Sequence, residues 1–379
     1  MVDTLAAAMS DSGMLPRSRA RRAGLAAAIT AVPVGLALRF ALVYRERAGF
    51  PKRRPPTTTP GDLGLAFEEV AVPTADGLLL AAWRIPAPDP RAIAPGVVIV
   101  HGWESARDRM LPHAQVLHAA GYHVLTFDVR GHGANGPEAL PLSAGEFAAD
   151  AQAGVAAMRS WPEVSTVALL GHSIGGAGAL VAAAAAGDGA VDAVVALAPP
   201  AGPYRLTRLT FKLADLPFPG VIAWPLAWLT TRVFLRPRGH RIADVDAVEA
   251  VRRIAAPVLL VHGTDDHVVP PDHMARLAAA RRTARPDAVT ETLLVEGGHH
   301  SWIYEFPEVR AAVARFLAVA LGGPLAPDVA AARAVAVDAR RPEEPERLSA
   351  VDAEPGGMAS VVRIFKPVEL NHEEPDARP

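Results

Sequence analysis

Five apolar runs constrain the fold of this chain more than any other feature. They are GVVIVHG (96–102), HVLTFDV (123–129), VALLG (167–171), AVVALA (193–198) and PVLLVHG (257–263). Each is continuous rather than alternating, as a strand covered on both faces must be. Helical patterns fall between them, near 108–120, 143–160, 174–186, 272–284 and 307–321. Two further runs, FEEVAV (67–72) and LLLAAWR (78–84), flank the turn sequence PTADG, and VTETLLV (289–295) adds a last strand. The pattern predicts an α/β fold with a mostly parallel central sheet and helices on both faces.

The segments around this core read differently. Residues 1–22 are basic toward their end. Residues 23–44, AGLAAAITAVPVGLALRFALVY, are a candidate transmembrane anchor, long enough to span but interrupted by Pro33 and Arg39. Arginines and a lysine flank both sides, so the positive-inside rule gives no orientation. Membrane association through 23–44 is the expectation, and a loose leader on a cytoplasmic protein is the alternative. Residues 45–64 are rich in Pro, Thr and basic residues and read as a linker. The folded α/β core, by this reading, occupies 65–323. Residues 199–255 are too long for an ordinary connection and form a helical cap insertion. Its Trp224, Trp228, Phe211 and Phe218 suggest an apolar substrate pocket, and its Arg205, Arg208, Lys212, Arg232 and Arg236 face either anionic lipid or water. Residues 324–379, rich in Ala, Pro, Asp, Glu and Arg, are expected to be a disordered tail.

Composition removes several functions. The chain has 379 residues, a formal net charge of −2 and no cysteine. Disulfides, zinc–thiolate sites and a cysteine nucleophile are excluded. No basic helix interleaved with aromatics points to nucleic acid. No helical His-x-x-x-His pair, dinucleotide fingerprint or phosphate loop is present, so neither a metal nor another cofactor is expected. The oligomeric state is left open.

The chemistry is carried by Gly171-His172-Ser173-Ile174-Gly175 at a strand-to-helix joint. Glycines two residues either side of a serine allow a turn too tight for side chains, which presents the hydroxyl at the sheet edge. A serine needs a base, and the base needs an orienting carboxylate. Asp265 and Asp266 follow one predicted strand, and His299 and His300 follow another.

With His101-Gly102-Trp103, the run Asp128-Val129-Arg130-Gly131-His132-Gly133, HGTDDHVVP and GGHHSW, the chain from about 65 to 321 resembles the α/β-hydrolase superfamily, in its esterase and serine aminopeptidase-like branches. The resemblance implies Ser173 as nucleophile, Asp266 as acid and His299 as base, with Asp265 and His300 as rivals. It maps the oxyanion donors to the N–H groups of Trp103 and Ile174. His172 joins Trp224 and Trp228 as a substrate-binding candidate. The implied activity is hydrolysis of an apolar, lipid-like carboxylic ester through an acyl-serine. A peptidase or thioesterase on the same fold is the alternative, and a non-catalytic lipid- or partner-binding protein is the reading from another class.

Overall fold

A computed structural model of the chain describes residues 17–213, 216 and 218–339, with side chains from residue 31 onward. Eight strands form one sheet: β1 (Glu68–Pro73), β2 (Leu79–Ile85), β3 (Ala94–Val100), β4 (His123–Phe127), β5 (Val164–His172), β6 (Ala193–Leu197), β7 (Val258–Gly263) and β8 (Thr290–Val295). Their order is β1-β2-β4-β3-β5-β6-β7-β8. β1 and β2 pair antiparallel, β2 joins β4 antiparallel, and all pairs from β4 to β8 are parallel. All eight expected strands are present.

The continuous apolar runs divide with a period of two. Val98, Val100, Leu169, Val194 and Leu260 point to one face. There they meet α3 (Ala144–Arg159), α4 (Ile174–Ala186) and α8 (Asp272–Ala284) through residues such as Phe147, Leu180 and Leu277. Val97, Ile99, Leu170, Val195 and Val261 point to the other face. They meet α2 (Leu111–Ala119) and α9 (Pro307–Leu321) through Leu111, Leu117, Val313 and Leu317. Each such side chain contributes about 1.5–3 kcal/mol when fully buried.

The chain leaves β3 to lay β4 on one side and β5 on the other. Loops at the carboxyl ends of β3 and β5 therefore diverge, opening the crevice where open α/β sheets bind ligands. Trp103 follows β3 and Ser173 follows β5.

Outside the core the expectations need correcting. Among the described residues, no helix is long and apolar enough to cross a membrane. All of 23–44 lies in α1 (Arg17–Ala48), whose second half packs against protein instead. Ala41 and Tyr44 are buried, and Phe40 and Tyr44 pack on Phe211, Phe218 and Phe234. These partners belong to α5 (Pro203–Leu213), α6 (Gly220–Leu235) and the turn between them. The cap is thus a layer of α1, α5 and α6. α7 (Ala247–Val251), inside the expected insertion, belongs to the core through Ala247, Ala250 and Val251.

Residues 324–339 are not a structureless tail. Pro327–Ala336 form α10, whose Ala330 and Ala334 are buried in the α2/α9 layer. Alanines at that spacing let two helices approach closely, and composition alone reads them as disorder. The expectations for 1–16 and 340–379 lie outside the described residues.

Three buried histidines make this core sensitive to acid. Burial lowers His101 to about 4 and both His113 and His132 to about 3, from an ordinary 6.5. The fold holds them neutral, whereas an unfolded chain would protonate them as pH drops past 6.5. Their stability contribution is complete above the unfolded value and is lost as pH falls toward the folded ones. The urea midpoint should therefore fall steadily from about pH 6.5 to 5 at constant ionic strength; a flat or rising midpoint contradicts this assignment.

Candidate active site

The turn from β5 into α4 is as tight as the glycines imply. A Cβ on Gly171 would strike the carbonyl of Gly175, and one on Gly175 would strike the carbonyls of His101 and Val100. Ser173 between them has φ 55° and ψ −126°, a conformation side chains rarely adopt. Its N–H donates to Leu197 O at 2.8 Å, and its carbonyl accepts from Ala177 N at 3.1 Å. The backbone is fixed on both sides, and the hydroxyl projects into a cavity at the start of α4.

His300 Nε2 lies 3.0 Å from Ser173 Oγ, and His300 Nδ1 lies 2.8 Å from Asp266 Oδ2. The carboxylate is acceptor-only when ionised, so Nδ1 carries the proton and Nε2 is free to accept from the serine. The histidine at the serine is therefore His300, and the expectation of His299 is corrected. His299 is exposed, its Nδ1 3.4 Å from the carbonyl of Asp265. The cause is the Gly297-Gly298 turn. Gly298 N–H donates to Val295 O at 3.1 Å, and Asp265 N–H clips the loop by donating to Gly298 O at 3.0 Å. That closure turns the first histidine outward and the second inward. His172 Nε2–H holds the second in place, donating to His300 O at 2.7 Å.

Asp266 is buried, whereas Asp265 is exposed and its carboxylate accepts from the neighbouring Thr264 Oγ1 at 3.2 Å. The Oδ1 atom of Asp266 accepts from Val268 N at 3.0 Å and Val269 N at 2.7 Å. Burial alone would push this carboxyl up, but the His300 and His262 imidazoles beside it carry it well below the usual carboxylate range. It stays ionised wherever the protein is folded at neutral pH.

The Trp103 and Ile174 N–H groups border the same cavity. Among the described residues neither donates to a backbone carbonyl. Ile174 opens α4, where N–H groups have no intrahelical partner and favour negative charge. Trp103 is set by His101. That ring accepts from Val129 N at 2.9 Å through Nε2, so its Nδ1–H donates to Gly102 O at 2.7 Å. Gly102 O and the Trp103 N–H belong to one planar peptide, so fixing the first fixes the second.

Trp224 and Trp228 do not line this cavity. They are 46% and 52% exposed on the outer face of α6, under Arg208 and Arg232 respectively. The inner face of that helix presents Thr231, Phe234 and Leu235 instead, joined by Tyr44, Leu206 and Val268 around a cavity of about 530 Å3.

One wall of the site comes from a segment whose sequence reads as linker. Residues 49–59, expected to be linker, run as a strap past the cavity, which Arg54, Pro55 and Thr57 line. Two buried acids hold it. Glu104 Oε1 accepts from Lys52 N at 2.9 Å, and Asp108 Oδ2 accepts from Thr57 N at 2.8 Å. Glu104 directly follows Trp103 and has φ 52°, so the strap and the Trp103 loop brace each other. The readable signal was two acids in the loop WESARD just beyond a core strand.

Residues 97–316 match the Alpha/beta hydrolase family. The chain belongs to that family. An uncharacterized protein of Mycobacterium tuberculosis is 30% identical over 241 residues, covering 63% of this chain and 74% of that protein. Human protein ABHD12B is 27% identical over 231 residues, 59% of this chain and 60% of its own length. Among solved structures, the Pyrococcus furiosus esterase Pf2001 superposes with a TM-score of 0.56 at 25% identity, covering 72% of this chain and all of that one (100%). Est1E from Butyrivibrio proteoclasticus gives 0.53 at 20% identity, over 67% and 99%, and shares the fold.

The geometry separates the two adjacent histidines experimentally. A fluorophosphonate, which reacts with activated serines, should label Ser173. The His300→Ala variant should lose at least about a hundredfold in labelling rate, the usual weight of a positioned base. His299→Ala should label within about twofold of the parent, as expected of an exposed side chain outside the contact chain. The reverse order would contradict the placement described above.

Proposed function

We propose that the protein is a serine carboxylesterase acting on esters with an apolar acyl chain. The observation that carries the reading is the continuous contact from Ser173 Oγ through His300 to Asp266, opening on a cavity walled largely by apolar groups. His300 takes the Ser173 proton as Oγ attacks the ester carbonyl. Asp266 keeps the imidazole in the accepting tautomer and stabilises the imidazolium once it forms. The charge on the tetrahedral oxygen falls to the N–H groups of Trp103 and Ile174, and one such donor is typically worth about 3–4 kcal/mol. His300 then protonates the departing alkoxide, leaving an acyl-serine. Water, activated by the same imidazole, attacks the acyl carbonyl and releases the acid. No cofactor takes part in these steps.

The acyl preference rests on the walls. Tyr44, Leu206, Phe234 and Val268 offer an apolar chain a dry surface, and about 530 Å3 is within the range of small-molecule pockets. The resemblance to an esterase of known structure supports the ester over the amide.

A series of p-nitrophenyl esters of rising chain length tests the reading. Turnover should peak at a medium or long chain. Ser173→Ala should reduce it at least about a thousandfold. A folded protein that turns over none of these esters, or a Ser173→Ala variant that retains activity, overturns it.

A further inference from the structure

The cap has two faces, and the outer one is unlike the rest of the surface. Among the described residues twenty large apolar side chains are exposed, and ten of them lie on α1 and α6. Val32 and Leu36, one turn apart on α1, are 59% and 62% exposed on the side away from Ala41, and Val221 and Ile222 of α6 are 83% and 50% exposed. Trp224 and Trp228 extend the same outer side of α6. Their spacing of four residues puts them on one face of the helix. The opposite face packs inward through Leu226, Ala227 and Thr230.

The cap helices carry an unbalanced charge. From residue 31 onward α1, α5 and α6 contain seven arginines and lysines and a single acid, Glu46. The whole chain, by contrast, has 38 basic and 40 acidic residues. The basic groups are interleaved with the apolar ones. The Arg208 guanidinium lies 3.7 Å above the Trp224 ring and that of Arg232 3.5 Å above Trp228. Indole rings with cations over them suit the headgroup region of a bilayer, where the ring is apolar on one side and wet on the other. A second copy of this face would bring like charges together, so the charge pattern fits an anionic partner instead.

We propose that the outer face of α1 and α6 docks on an anionic lipid bilayer. The helices lie in the plane of the headgroups rather than cross the membrane, as an amphipathic helix does. α1 cannot turn its whole surface to lipid, because Tyr44 and Ala41 are buried in protein. The same helices wall the Ser173 cavity from inside through Tyr44, Phe234 and Leu235. Docking therefore places the cavity directly behind the bilayer surface. On the esterase reading above, the substrate class becomes an ester lipid supplied from that surface.

Cosedimentation of the full chain carrying Ser173→Ala, with vesicles of phosphatidylcholine alone or mixed with phosphatidylglycerol, tests the docking without turnover. The chain should pellet with the mixed vesicles, bind the neutral ones at least about tenfold more weakly and be released by high salt. The pair Lys212→Glu and Arg232→Glu, and separately the pair Val221→Asp and Ile222→Asp, should each weaken binding at least about tenfold. Thermal melts of these surface variants should match the parent, and with Ser173 intact each should hydrolyse a soluble short-chain p-nitrophenyl ester within about twofold of it. Absent binding to the mixed vesicles overturns the proposal, as does binding that both pairs leave unchanged. Concentration-dependent self-association abolished by Val221→Asp and Ile222→Asp, without vesicle binding, overturns it in favour of a second copy. The binding and self-association outcomes do not depend on ester turnover, so the esterase reading stands or falls by its own assay.

Discussion

The conformation of Ser173 is the constraint on which the site depends. A residue with a side chain at φ 55° and ψ −126° is strained, and such positions cost on the order of 1–3 kcal/mol. They persist only where surrounding structure over-determines them. Here the surroundings are the hydrogen bond from Ser173 N–H to β6, the first turn of α4, and the close approach of Gly175 to the carbonyls that end β3. The sheet core supplies the rest. Residues buried on both faces of β3, β5 and β6 fix three strand ends relative to one another, and the elbow hangs between them. One strained residue thus converts the rigidity of the sheet into a hydroxyl held in one place.

The side chains around it are also held from outside the reacting set. His172 braces His300 through its backbone carbonyl, and the Val268 and Val269 N–H groups hold Asp266. His101 fixes the peptide that carries the Trp103 N–H. Neutrality matters for that last role. A protonated His101 would lose the acceptor that Val129 N–H requires, and burial keeps the ring neutral. The strap extends the bracing to the chain's N-terminal side, since Glu104 and Asp108 join residues 52 and 57 to the loop beyond Trp103.

How much of this was legible in the sequence follows from the range of the interactions involved. Strands buried on both faces, the serine turn and the short HGTDDHVVP loop are local patterns, and local patterns are what a sequence displays. The choice between His299 and His300 was not local. It depends on a clip between Asp265 N–H and Gly298 O, two residues 33 apart on neighbouring strand ends. The α1 segment misled for a similar reason. Its length suits a spanning helix, but Pro33 and Arg39 interrupt the apolar run, and Phe40 and Tyr44 find aromatic partners more than 160 residues away. Trp224 and Trp228 looked like pocket residues because they are large and apolar, yet the helical period assigns the inner face to their neighbours. α10 was read as tail because alanine-rich sequence is compositionally plain, although small residues are what a close helix contact needs.

On the esterase reading, Ser173, delivered by this turn and served by His300, carries the acyl group between ester and water. The most direct measurement is mass spectrometry of the protein acid-quenched within the first turnovers of a p-nitrophenyl ester. The acyl mass is expected on the peptide containing Ser173, appearing with the first equivalent of p-nitrophenol and decaying as substrate is exhausted. Turnover with Ser173 unmodified at every time point, or an acyl group on another side chain, would contradict it.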